Sequence, residues 1–311
     1  MILSENDLNQ LSQYAILAAQ KAGALIQSFT ANAETLKSIN VQQKIAGNTQ
    51  ASQIVSEVDF ACEKLILDTL KPTFNQYDLG LLTEERQDDG SRFVKDYFWC
   101  IDPLDGTLAF TQSKSGYAVS IALVSKSGDS IIGVVYDPVT QTLYSAIKGK
   151  GVLRSEKKRS LESTLSDNLL LDGSLKRNSS ISPFENAILT LASDNSFSSH
   201  HFVKSIISEF GFSEMQSLPQ GGAVMNACWV LENSPAIYFK LSKSEEGGGS
   251  IWDFAATNLF FSELKLVVSD ANGDPLQLNP QGSTFMNLRG VVFSTDQNLA
   301  ASIIRFNSIS A

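Results

Sequence analysis

The sequence predicts an α/β fold, and three observations predict it. Two N-terminal segments, 7–29 and about 56–71, carry apolar residues at helical spacing. Residues 98–147 change to the β-branched and aromatic content of strands. From 187 onward strand and helix patterns alternate, which points to a layered arrangement. With 311 residues and 43% hydrophobic content there is ample core for one large domain or two packed subdomains. A junction near 155 divides an N-terminal part, 1–155, from a C-terminal part, 156–311.

Leu8, Leu11, Ala15, Ala18, Ala22, Leu25 and Phe29 form one narrow apolar face on the first helix. Residues 31–53 are polar and read as an exposed loop or hairpin. The second helix should stop before Pro72. Residues 86–97 read as a surface connection. Strands follow at 98–101, 117–125, 131–136 and 142–147, with Ser127-Gly128-Asp129 as a hairpin turn and 148–151 closing the β-rich region. The polar stretch 154–185 shows no clear organisation. Strands at 187–192, near 214–218, at 236–241 and at 264–269 then alternate with helices near 199–210, 221–232 and 252–263. The segment 243–250 (KSEEGGGS) reads as a flexible loop.

The net charge of −9 disfavours a binder of nucleic-acid polymers, which would show a basic face. No stretch approaches a membrane span. The N-terminus lacks the basic and apolar regions of a signal peptide, so a cytoplasmic protein is expected. Cys62, Cys100 and Cys228 are widely spaced in apolar contexts and read as reduced core residues.

The chemistry concentrates in 99-WCIDPLDGTLAF-110. Asp102 and Asp105 close an apolar run. Neighbouring carboxylates raise each other's pKa unless positive charge lies between them, and a divalent cation is the simplest source. Mg²⁺ takes oxygen ligands and is commonly shared with phosphate. The Leu104 carbonyl is a further oxygen donor, Gly106 lets a ligand approach the backbone, and a helical turn at Thr107 would offer free N–H groups to an anion. The same residues also read as an ordinary turn, because Asp-Pro and Asp-Gly are turn dipeptides. A haloacid-dehalogenase motif is disfavoured, since it needs Asp-x-Asp spacing.

Three other segments carry acids. In 81-LLTEER-86, Glu84 or Glu85 emerges from a strand end or simply lies on a solvated loop. In 54-IVSEVDFACEKLI-66, Ser56 and Asp59 form a variant capping box, or Asp59 reaches the Thr107 hydroxyl to help deprotonate a water. In 251-IWDFAA-256, Asp253 stands at a helix start, where an acid also suits the dipole.

Taken in order, these four segments resemble the inositol monophosphatase family, from about residue 8 to the C-terminus. The strands 116-GYAVSIALV-124 and 132-IGVVYDPVTQTLYSAIKGKG-151 are similar to that family's central hairpin. The resemblance implies an αβαβα sandwich, α+β in its first half and α/β in its second. It implies a Mg²⁺-dependent, Li⁺-sensitive phosphomonoesterase acting on a small phosphorylated metabolite, without a phosphoenzyme. Glu84, Asp102 and the Leu104 carbonyl match a first metal site, and Asp102, Asp105 and Asp253 a second. A third, weaker ion would be held by Glu84 and waters. Gly106 and Thr107 match the phosphate-binding backbone. Asp59, Glu84 and Thr107 match the groups that activate the attacking water. Substrate contacts fall on Asp105, Gly106, Thr107, Gly221, Gly222, Ala223, Lys240 and Asp253. A homodimer is one assembly the resemblance allows.

Substrate choice is where the match departs. Inositol-phosphate members commonly carry an acid where this chain has Lys240. The 3′(2′),5′-bisphosphate nucleotidase branch often has a cation there, able to pair with a second phosphate. Against that branch, its usual Lys and Glu after Asp-Gly-Thr are Leu108 and Ala109 here. The family's Gly pair after the Trp-Asp helix is Lys265-Leu266. The loop 241–250, longer than usual, lays Glu245 or Glu246 near the pocket or leaves them in solvent. Ser193 and Asp194 match a degraded substrate segment, and His200 and His201 read as surface residues. The nucleotidase reading therefore leads, followed by inositol-1-monophosphatase. Fructose 1,6-bisphosphate is a distant third substrate. A non-catalytic phosphate-metabolite-binding member is the reading from another class.

Overall fold

The computed structural model describes residues 1–30, 42–43, 54–55, 57–156, 169–170, 187–192, 206–218 and 220–310. Helix α1 (Glu5–Thr30) is followed by a two-stranded antiparallel pair, β1 (Gln42–Gln43) and β2 (Ile54–Val55), and by helix α2 (Glu57–Tyr77). The paired strands fit the expected hairpin. Ser56, Ser193, Asp194, His200 and His201 lie outside the described residues.

A seven-stranded sheet comes next, its strands in chain order. They are β3 (Gly80–Thr83), β4 (Tyr97–Asp105), β5 (Ala118–Ser125), β6 (Ser130–Asp137), β7 (Thr142–Ile147), β8 (Val152–Glu156) and β9 (Leu169–Leu170). Only β3 and β4 pair in parallel; each later pair is antiparallel. Strands β8 and β9 carry this sheet past residue 155.

The sheet is buried on both faces, so its central strands are apolar throughout rather than alternating. On β4, Trp99 and Ile101 join Val58, Cys62, Ile66 and the alanines of α1 in one core. Phe98 and Cys100 point the other way, toward helices α4 (Ala223–Glu232) and α5 (Ile251–Glu263). Beyond those helices lies a five-stranded sheet of β10 (Ile188–Ala192), β11 (Glu214–Ser217), β12 (Ala236–Lys240), β13 (Val267–Ser269) and β14 (Val291–Ser294), in the order β11-β10-β12-β14-β13. Its β10 runs parallel to β11 and β12, whereas β14 runs antiparallel to β12 and β13. Helix α6 (Gln297–Ser310) and the helical residues 206–210 supply the outer core through Leu299, Ile303 and Ile206. The layers are therefore αβαβα, as expected.

Four departures from the sequence reading have physical reasons. Helix α2 continues through Pro72 to Tyr77. Pro72 is exposed, so water can satisfy the carbonyl that the missing N–H abandons. Buried Thr73 secures the last turn, accepting the Trp99 indole N–H at 2.9 Å and donating to the Leu70 carbonyl. The stretch 86–97 is not merely a surface connection, because Arg92 is 1% exposed. Its guanidinium pairs with Asp88 and donates to Asn279 Oδ1 and the Pro280 carbonyl. Strand β14 is only four residues long and became a strand by pairing with β12, which no local pattern reveals. Helix α6 did leave a signal: Leu299, Ala300, Ile303 and Phe306 at helical spacing, behind Asp296, whose carboxylate accepts the N–H groups of Asn298 and Leu299.

The three cysteines are free and buried, as the sequence reading has them. The segment 241–250 is tied at several points: Lys243 N–H donates to the Asn287 carbonyl, and Met286 N–H to that of Gly249. Glu245 and Glu246 are exposed. Among the described residues no helix is long and apolar enough to cross a membrane.

Candidate active site

The site forms where strand β4 ends. In a regular strand, residues three apart point to opposite faces. Asp102 and Asp105 escape this because the ladder slips. Asp102 pairs with Ser120 and Asp105 with Ala118, so three steps on β4 match two on β5. This bulge turns both carboxylates toward the same face, the one covered by α4 and α5. Pro103 costs the ladder no hydrogen bond there. Leu104 N–H donates to Asp102 Oδ1 at 3.0 Å, which closes the bulge as a small side-chain turn.

Gly106 follows with φ 82°, a left-handed conformation. A Cβ on it would meet the Gly116 carbonyl at 2.6 Å. Helix α3 (Thr107–Thr111) starts immediately after. The Thr107 hydroxyl donates to the Leu104 carbonyl at 3.1 Å, so the two oxygens predicted to face metal and water lie side by side.

Helix α4 approaches from the second half. Asp105 accepts the N–H of Ala223 on Oδ1 at 3.1 Å and that of Val224 on Oδ2 at 2.9 Å. An acid at a helix N-terminus satisfies otherwise orphaned donors. Gly222 N–H donates to the Gly116 carbonyl at 2.7 Å. A side chain at 222 would strike the Asp105 carboxylate, with Oδ2 only 2.2 Å from the Cβ position. The backbone N–H groups of Gly222 and Ala223 are thus engaged within the protein, the first by the Gly116 carbonyl and the second by Asp105. Gly221 is held by Asn226, whose side-chain amide donates to its carbonyl at 3.1 Å.

Asp253 comes from the first turn of α5 and accepts Ser250 N–H at 2.9 Å, the capping role that the sequence also allowed. One carboxylate oxygen from each of Asp102, Asp105 and Asp253 lies within 4.8 Å of the others. Asp102 and Asp105 are buried and Asp253 is half-buried. Glu84 follows β3, its N–H donating to the Ile101 carbonyl at 3.3 Å, which sets it beside Asp102 across the parallel pair. Asp59 is buried on the first turn of α2.

Electrostatics agree with this crowding. Burial, then the charges of Glu84, Asp253 and Asp105, hold the Asp102 carboxyl well above the usual range. Burial and the Asp253 charge raise Asp105, against the Val224 N–H and the Lys240 ammonium, which lower it. Asp253 is pushed up to about 6 by burial and by Glu84, with Lys240 again opposing. Lys240 ends strand β12 half-buried, so it presents a cation to two of the acids. Buried carboxylates that repel one another form a costly arrangement by themselves, and one that a hard divalent cation relieves. The donors are all oxygen, and the residues fit Mg²⁺.

The profile of the inositol monophosphatase family matches residues 7–308. The chain belongs to the inositol monophosphatase family. It is 30% identical over 270 residues to the Nus factor SuhB of Escherichia coli (strain K12), across 86% of this chain and 87% of that protein. Among solved structures, it matches an IMPase/NADP phosphatase complexed with Mg²⁺ and phosphate at a TM-score of 0.67 and 16% identity, covering 95% of this chain and 94% of that one. It matches SaIMPase-II bound to 2′AMP at a TM-score of 0.62 and 21% identity, covering 95% and 93%. The same protein bound to inositol monophosphate gives a TM-score of 0.62 at 20% identity, covering 94% and 92%. Members of the inositol monophosphatase family are metal-dependent phosphatases, and this chain is an enzyme of that class. Sequence reasoning found the acids from their local motifs. It missed the bulge that aims two of them and the Asp105 bonds to α4, although Pro103 and the Gly221-Gly222 pair marked both places.

Proposed function

We propose that the chain hydrolyses a small phosphomonoester with Mg²⁺, and that its substrate is a 3′(2′),5′-bisphosphate nucleotide. The observation that carries the substrate reading is Lys240, whose charge reaches Asp105 and Asp253. A cation at the rim of an acidic pocket suits a ligand with a second phosphate better than a neutral sugar ring. The solved NADP phosphatase and the 2′AMP complex support a nucleotide.

In this reading Glu84, Asp102, Asp105, Asp253 and the Leu104 carbonyl would hold two Mg²⁺ ions, with Glu84 also serving a weaker third. Mg²⁺ bound there supplies the positive charge that lets an acidic pocket accept phosphate and favours ionised water. The chain's own residues do the rest. Gly106 and Thr107 present backbone N–H groups to the phosphate oxygens. The Thr107 hydroxyl turns from the Leu104 carbonyl toward the attacking water and relays its proton to Asp59, while Glu84 orients that water in line with the scissile bond. The P–O ester bond breaks as the new P–O bond forms, and the leaving alkoxide takes a proton from solvent. Lys240 holds the phosphate that does not react.

Phosphate release from 3′-phosphoadenosine 5′-phosphate and from inositol 1-phosphate, at a few millimolar Mg²⁺ with and without Li⁺, tests this. Faster turnover of the nucleotide, inhibited by Li⁺, is expected. Faster turnover of inositol 1-phosphate would favour the inositol-1-monophosphatase reading, which the inositol monophosphate complex of SaIMPase-II supports. No release from a broad panel of phosphomonoesters would overturn the catalytic reading in favour of a phosphate-metabolite-binding role.

A further inference from the structure

Glu63 lies one helical turn beyond Asp59 on α2, hence on the same face. Its side chain is 4% exposed. Both carboxylate oxygens reach across to the segment after β3. Oε2 accepts the Thr83 hydroxyl at 2.9 Å, and Oε1 accepts Arg86 Nε at 2.5 Å. Thr83 and Arg86 bracket Glu84 and Glu85.

We propose that Glu63 is a positioning residue: it clamps the segment carrying Glu84 to the helix carrying Asp59, and so sets where the Glu84 carboxylate meets the metal. The inference rests on the metal reading of Glu84 above. Burying a carboxylate is expensive, and an apolar side chain would pack at that helix position more cheaply. The charge does a job that packing cannot, because it holds residues on both sides of Glu84 at once. The backbone bond at Glu84 itself is long, 3.3 Å to the Ile101 carbonyl, so the sheet alone is a weak tether there. Metal ligands must be held to within about half an ångström, and groups one layer out from them supply that precision. Arg86 is 55% exposed, which makes it the accessible arm of the clamp. One carboxylate thereby links Asp59 and Glu84, two of the groups assigned to the attacking water.

The test is calorimetric titration of the purified full chain with Mg²⁺ alone, for wild type, Glu63→Gln, Arg86→Gln and the double variant, beside thermal melts of each. Each single variant is expected to weaken Mg²⁺ binding about tenfold, at the low end of what such outer groups contribute. The double variant should be no weaker than the worse single, as for two halves of one contact. A merely structural role would lower the melting temperature and leave Mg²⁺ affinity unchanged; that result, in either folded single variant, overturns the proposal. If Glu63→Gln does not fold, Arg86→Gln decides alone. A wild-type chain that binds no Mg²⁺ would overturn the metal reading itself and this inference with it.

Discussion

Asp105 accepts an N–H on each carboxylate oxygen, whereas Asp102, among the described residues, accepts that of Leu104. The difference decides which acid can be neutralised without harm. From the sequence alone Asp105→Asn looks nearly isosteric. In the structure it would turn an amide NH₂ against a backbone N–H, at a cost of about 1–3 kcal/mol. Asp102→Asn keeps one oxygen for Leu104 and removes a repelling charge. We expect Asp102→Asn to melt no lower than wild type in EDTA yet to lose activity at least about 100-fold, read by thermal melts and phosphate release. Titration gives a second expectation. The native carboxyl of Asp253 is raised to about 6, above its unfolded value, and those of Asp102 and Asp105 are raised as well. At these three carboxyls the native state therefore binds more protons than the unfolded chain, so their contribution to metal-free stability falls as pH rises from about 4 through about 6. Melts in EDTA across that range should show the fall, and added Mg²⁺ should flatten it.

At the scale of elements, the last turn of α2 depends on a tertiary bond. Thr73→Val keeps the side chain's shape but leaves the indole N–H of buried Trp99 without its acceptor. A loss of about 1–3 kcal/mol is expected by denaturant unfolding, and a melt within one degree of wild type would contradict it. The same helix shows what sequence can and cannot reveal. Its start and its apolar face were legible, because periodicity is local. Its end was not: Pro72 signals a stop, and its exposure to water, together with the bond that Trp99 makes to Thr73 from 26 residues on, explains why the chain ignores it. Helices α4 and α5 and strands β5, β6 and β7 were readable to within a few residues. Strand β14, four residues long, has too little pattern to outweigh its pairing, whereas a strand end before Glu84 was among the readings of 81-LLTEER-86 and β3 ends there. The acids of the site were legible by type and order. Their convergence was legible only through the family resemblance, since no local pattern shows the ladder slip in β4 or the approach of helices that start more than 100 residues later.

Across the whole molecule, the two sheets share a single core through α4 and α5, where Phe98, Cys100 and Ala122 meet Phe254, Phe260 and Phe293. The acids sit at the edge of that core, Asp102 and Asp105 from the first half and Asp253 from the second. Backbone N–H groups in the first turn of a helix ordinarily lack intrahelical acceptors and trade their hydrogens with solvent readily. Ala223 and Val224 are capped instead by a carboxylate from the opposite half. Deuterium uptake at these two amides should accordingly be slow and should accelerate only when the halves part. Measured residue by residue, it would time how often the cleft breathes, and breathing should be rarest beside the acids proposed to carry the reaction.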